Sequence, residues 1–137
     1  MKTIKLDLNK VADEFDVISA ETSLFYNTET GIFEFYNEYM EIDDADSEKY
    51  DDDVWIVAPS QWDLDEYRVM QKFVGTVYDS HKSELLYSAL YGKGAFRRFK
   101  DTLHRVDLVD EWYSYRHDTF VEIAREWCER HAIDYQE

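Results

Sequence analysis

Cysteine, proline and glycine are scarce: one, one and four among 137 residues. A lone Cys128 excludes an internal disulfide, and its setting among helix formers matches no cysteine-nucleophile signature, so a small buried hydrophobe is the expected role. Positive charge is scarce as well. Fifteen Lys and Arg stand against 31 Asp and Glu, a formal net charge of −16 with a pI near 4.5. Such a chain repels phosphate backbones and anionic lipid surfaces unless it gathers a local cationic footprint, which disfavours direct nucleic-acid binding. Long apolar runs are missing too. No 18-residue apolar stretch offers a membrane span, and Met1–Lys10 has no signal-peptide core, so the expectation is a cytoplasmic protein without membrane contact.

What is present is a core. Apolar residues make up 45% of the chain, and 8 Phe, 4 Trp and 11 Tyr add an aromatic content far from that of disordered sequences. A domain of this length buries roughly 68–70% of its unfolded surface, enough to fold without metal or disulfide staples. A single domain over residues 1–137 is expected, with a strand-containing acidic half (1–58) and a helical half (59–137) that change over near Pro59.

Leu8, Val11, Ala12 and Phe15 recur at helical spacing and predict a short first helix that ends by Ser19. Two aromatic and β-branched runs, Ser23–Tyr26 and Ile32–Asn37, flank a turn in which Gly31 supplies a positive φ, the signature of a β-hairpin. Val54–Val57 reads as a third strand stopped by Pro59. Ser60 and Asp63 form a capping-box start for a helix running to about Tyr78 with Leu64, Tyr67, Met70, Phe73, Val74 and Val77 on one face. A second helix spans Lys82–Tyr91 and stops at Gly92. Gly94 opens a third with Phe96, Phe99, Leu103 and Val106 inward. Asp107 and Asp110 repeat the capping spacing before a fourth, with Val109, Trp112, Tyr113, Phe120, Ile123, Ala124 and Trp127 as its stripe. The fold class is α+β, a short helix and hairpin packed on a bundle of about four helices.

Nine acids and Lys49 alone fill Glu38–Asp53, a local charge of −8. Asp44, Asp46 and Glu48 fall on calcium-loop spacing, but Lys49 replaces the sharp-turn glycine and Trp55 the twelfth ligand, so a solvated loop is the better reading. A polyanion mimic or a dock for a basic partner stays open. The cations concentrate elsewhere: Lys93, Arg97, Arg98, Lys100 and Arg105 against Asp101 make residues 93–105 +4, and the remaining chain −20.

At about 100° per residue from Phe96, Lys100 falls near 40°, His104 near 80° and Arg97 near 100°, a polar border beside the apolar face; Arg98 and Arg105, near 200° and 180°, point away from the core. The turn Gly92-Lys93-Gly94 precedes this helix, where unpaired N–H groups and the helix dipole favour an anion. A Walker A loop is excluded by the spacing. A helix C-cap followed by a tight turn accounts for the same residues. Arg116 falls in the middle of the fourth helix's stripe, where a charge demands a partner: a structural ion pair or aromatic stack, or a ligand anion beside Lys93 and Arg97. A helix break near Ser114 would re-aim it.

Catalytic and metal signatures are missing. His81, His104, His117 and His131 lack zinc-site spacing, no nucleophile elbow or dinucleotide fingerprint occurs, and neither cofactor, metal nor catalytic residue is assigned. The segments Gly94-Ala-Phe-Arg-Arg-Phe-Lys-Asp101, Trp112-Tyr-Ser-Tyr-Arg116 and Ala124-Arg-Glu-Trp127 resemble uncharacterised protein family 0158 of bacteria over much of residues 60–133. The resemblance implies a small cytoplasmic bacterial protein and transfers no catalytic residue; it points to the same two segments as the charge and wheel arguments.

The expected function is a non-enzymatic interaction or anion-recognition domain. Lys93, Arg97 and Lys100 would supply charge, Arg116 orientation, and Trp112 and Tyr113 stacking or packing. Its partner would be a protein or a small anion, and a homodimer is compatible. Two alternatives stand beside it: an enzyme acting on a phosphorylated small molecule or nucleotide, and an acidic inhibitor that imitates nucleic acid.

Overall fold

The helical spacing of Leu8, Val11 and Ala12 is realised in α1 (Leu8–Glu14), which a short 3-10 turn, Phe15–Val17, continues. Asp7 starts it, its carboxylate accepting from the Asn9 amide at 2.9 Å. The computed structural model describes residues 4–39 and 49–137 and has the α+β class that the sequence predicts. Two compact units divide the chain, 1–64 with 120–137, and 65–119.

In the first unit, β1 (Leu6–Asp7) pairs in parallel with β5 (Tyr135–Gln136). The predicted hairpin is β2 (Thr22–Asn27) and β3 (Phe33–Asn37), and Gly31 stands at φ 74°. Asn27 organises the turn, its side-chain oxygen accepting from the amides of Glu29 and Thr30. The third strand is β4 (Trp55–Val57), antiparallel to β2, so the sheet order is β3-β2-β4. Leu24 and Tyr26 of β2 face a core with Leu8, Phe15, Ala124 and Cys128. Trp127 anchors that core, with ring centroids 6.1 Å from Phe15 and 5.9 Å from both Tyr26 and Phe33, and its indole N–H donates to the Val57 carbonyl at 3.0 Å.

The stretch from Ser60 departs from the prediction of one long helix. The capping box closes: the Ser60 amide donates to Asp63 at 2.9 Å and the Asp63 amide to the Ser60 hydroxyl at 3.2 Å. Yet α2 (Gln61–Leu64) stops after one turn, because Asp65 takes a left-handed conformation (φ 46°) and caps α3 (Glu66–Val74) itself. Asp tolerates that region better than most residues. The helix also ends before Tyr78: at Gly75 the next residue, Thr76, turns its amide and hydroxyl onto the Phe73 carbonyl, at 2.8 and 2.6 Å.

The second unit continues with α4 (Ser80–Ala89), which begins earlier than predicted because Asp79 accepts from the Lys82 amide at 3.0 Å. After it come α5 (Ala95–Val106) and α6 (Val109–Arg130), whose first half, to Thr119, belongs here and whose remainder belongs to the first unit. No break occurs at Ser114. Met70, Phe73, Leu86, Phe99, Leu103 and Trp112 make this unit's core. Two residues assigned inward are not: Phe96 is 45% and Tyr113 55% exposed. Helices α5 and α6 end alike. Asp107 (φ 60°) and Ala132 (φ 55°) are left-handed, and the amides of Leu108 and Ile133 donate five residues back, to Leu103 and Cys128. Asp107 is thus a C-cap of α5.

Candidate functional site

The basic segment forms the corner between α4 and α5. Gly92 (φ 81°) and Gly94 (φ 75°) are both left-handed, which lets the chain reverse within a few residues. Four carbonyls at this corner converge on one side chain. Arg98 donates from Nε to Ala89 at 3.2 Å, from Nη1 to Lys93, and from Nη2 to Tyr91 and, at 3.5 Å, to Gly92. The wheel sends Arg98 away from the core, but Cα–Cβ bonds tilt toward a helix's N-terminus, so a long side chain from the first turn reaches back over the preceding corner. Arg98 is therefore a cap on the C-terminal end of α4, where cations oppose the negative end of the helix dipole.

With Arg98 spent on the backbone, Lys93, Arg97 and Lys100 remain as exposed cations of the corner, and none has an ion-pair partner among the described residues. Arg116 has one. Its Nε lies 2.8 Å from Glu66 Oε1, the side chains being 20% and 30% exposed, which ties α6 to α3. Trp112 takes the packing half of the role assigned to it: it is 1% exposed and meets Phe73 and Phe99 edge-on at 5.4 and 5.1 Å. Its indole N–H has no hydrogen-bond partner among the described residues. Tyr113 points to solvent on α6.

An exposed aromatic group that neighbours these cations in sequence escaped the sequence reading. Tyr87 and Tyr91, one turn apart, are 55% and 58% exposed with ring centroids 5.2 Å apart. Phe96 leans on Tyr67 (6.4 Å), whose hydroxyl donates to the Leu90 carbonyl at 2.7 Å. The available signal was the i, i+4 spacing of the two tyrosines. Charge is also sorted between the units. Residues 65–119 hold nine Lys and Arg against nine Asp and Glu and are neutral, so the whole excess of −16 resides in the other unit.

Of the acidic run, residues 40–48 lie outside the described residues, and with them Asp44, Asp46 and Glu48 of the calcium comparison. Its far end is packed. Tyr50 stacks on Phe25 of β2 (4.1 Å, 8°) and meets Trp55 edge-on, and Lys49 lies 2.8 Å from Glu34 and over the Trp55 ring. The only base of the run thus neutralises a carboxylate on the outer face of the sheet.

Among the described residues no group of three His, Cys, Asp or Glu converges as a metal site, and no helix is long and apolar enough to cross a membrane. Cys128 is fully buried, and burial pushes its thiol up to about 11, so it is held as a neutral thiol. The clefts of the first unit include one of about 450 Å³ lined by Leu6, Lys10, Val11, Glu14 and Phe33 among others. Compared with known proteins, the family model described as uncharacterised protein family (UPF0158) matches residues 1–136. No curated protein and no solved structure matches the chain.

Proposed function

The chain belongs to the uncharacterised protein family UPF0158, and from its own residues we propose that it is a non-enzymatic interaction domain whose α4–α5 corner recognises anionic groups. One observation carries this reading: of the cations clustered at residues 93–100, Arg98 is consumed by backbone carbonyls while Lys93, Arg97 and Lys100 stand exposed without an ion-pair partner among the described residues. Held beside the uncapped start of α5, where Gly94 offers no side chain to the first amides, they form an attractive corner on a unit that carries no net charge. In this reading Arg116 and Trp112 are scaffold, and Tyr113 is peripheral.

An enzyme gripping phosphate would use Arg116, which Glu66 engages. The nucleic-acid mimic turns on residues 40–48, which lie outside the described residues. A cytoplasmic location fits the reducing setting a free Cys128 suits.

The test is an amide NMR titration with sodium pyrophosphate and, separately, sulfate. Shifts confined to Gly92–Lys100, saturating at low millimolar anion and abolished in Arg97→Glu/Lys100→Glu, are expected. Equal shifts in that variant, or none in the native protein up to 20 mM, would falsify the reading.

A further inference from the structure

We propose that the α4–α5 corner is a docking surface for a short acidic peptide segment of a partner protein, one that carries an apolar or aromatic anchor among its carboxylates. The inference rests on the anion-recognition reading and adds to it the class of partner. Its basis is the pairing of two features within one short stretch, residues 87–100. Lys93, Arg97 and Lys100 are exposed there, and Tyr87, Tyr91 and Phe96 expose 55%, 58% and 45% of themselves.

These aromatics are not a frayed edge of the core. Tyr87 and Tyr91 contact each other, and Phe96 rests on Tyr67, itself fixed by its bond to the Leu90 carbonyl. Rings already held in place lose little freedom when a partner covers them, which is why aromatics beside cations make effective anchors. A free inorganic anion would use the three cations and leave the rings wet. The rings therefore call for apolar side chains, and the cations for carboxylates between them.

Length separates a peptide from a nucleic acid. From Ala95 to Lys100 the helix covers only about 9 Å at 1.5 Å per residue. An extended polyanion overruns such a patch, and its further phosphates add charge with no cation to meet, against a net charge of −16 on the chain. A segment with three or four carboxylates confines its charge to the corner. Association of modest strength, with Kd of about 10–100 µM at low salt, suits so small a contact.

The probe is a fluorescein-labelled eight-residue peptide with four Asp or Glu and two Phe, followed by anisotropy on the full chain. Its controls are the same peptide with Gln and Asn for the acids, with Ser for the Phe, and a 12-nucleotide oligothymidine. Binding of the parent peptide is expected, weakened at least about fivefold between 50 and 300 mM NaCl as screening shortens the reach of the charges. Arg97→Glu/Lys100→Glu should abolish it. Tyr91→Ser/Phe96→Ser should weaken it about tenfold, circular dichroism showing the fold intact, since both side chains are half-exposed. If the Phe-free peptide binds as well as the parent, or the aromatic variant binds normally, the peptide inference falls and anion recognition stands. Tighter binding of oligothymidine than of the peptide overturns the inference in favour of nucleic acid. Binding that survives the charge reversal refutes both readings, as does no binding by any probe together with a silent pyrophosphate titration.

Discussion

Arg98→Ala separates scaffold from surface at the corner. The guanidinium donates to the carbonyls of Ala89, Tyr91, Gly92 and Lys93, three of them beyond the end of α4. Hydrogen bonds to a charged group contribute about 1.5–3 kcal/mol, and a cation at a helix C-terminus about 0.3–1 kcal/mol. The corner is exposed, so the freed carbonyls regain water, which places the loss near the lower end, at about 1.5 kcal/mol. Arg98→Lys keeps the charge but not the fork, and should lose about 1 kcal/mol. Trp112 provides a local reporter, since Trp55, Trp62 and Trp127 all lie in the other unit. In protein labelled with 5-fluorotryptophan, the Trp112 resonance followed through a urea titration should show a midpoint lower by roughly 1 M for Arg98→Ala, taking an m value of about 1–2 kcal/mol/M. Arg97→Ala should leave that midpoint in place. A shift under 0.2 M for Arg98→Ala, or an equal shift for Arg97→Ala, refutes the division of labour between the two arginines.

Other positions give independent checks. Ala132→Gly relieves a left-handed non-glycine residue at the end of α6 and should stabilise the protein by about 0.5–1 kcal/mol in chemical denaturation. Cys128, buried and held as a neutral thiol, should resist a disulfide reagent at pH 8 in the native protein and react within minutes in 6 M guanidinium. Asp63 has its carboxyl held below the usual carboxylate range by the Ser60 amide and hydroxyl. Its contribution is present above the unfolded value near 4 and is lost as pH falls through the folded one, so the urea-midpoint advantage over Asp63→Asn at pH 6 should shrink by pH 2.5.

The parts of the fold legible in the sequence are those in which local chemistry and tertiary packing agree. The hairpin is one: alternating apolar residues, Asn27 and Gly31 all favour the same turn, and the structure places them so. The Ser60–Asp63 box is another. What stayed illegible lies where two signals compete. Asp63 announces a helix, but Asp65, two residues on, can cap as well, and the second cap wins. Asp107 and Ala132 end helices in a conformation that sequence rules assign to glycine, so nothing marks them. The pairing of β1 with β5 joins two-residue strands separated by nearly the whole chain, too short to show a period.

The candidate site divides along a similar line, between what a helical wheel fixes and what it leaves open. A wheel gives the direction of Cα–Cβ, and for the apolar side chains of α5 beyond its first turn that suffices: Phe99, Leu103 and Val106 are buried as drawn, whereas Phe96 in the first turn is exposed. For arginine it does not. Arg98 reaches back over the corner and Arg116 finds Glu66 on another helix. Charge follows the same logic. Counted along the chain, residues 1–58 carry −12 and residues 59–137 carry −4, so the basic segment looks like a local excess within an acidic half. Sorted by contacts, Asp63 and residues 120–137, together −4, join the first unit, and the unit bearing Lys93, Arg97 and Lys100 is neutral. An anion approaching that corner therefore meets the exposed Lys93, Arg97 and Lys100 on a unit without net charge. The same sorting predicts the sign of the salt response: if the net charge of −16 dominated, added salt would strengthen anion binding, whereas control by the three cations requires that it weaken.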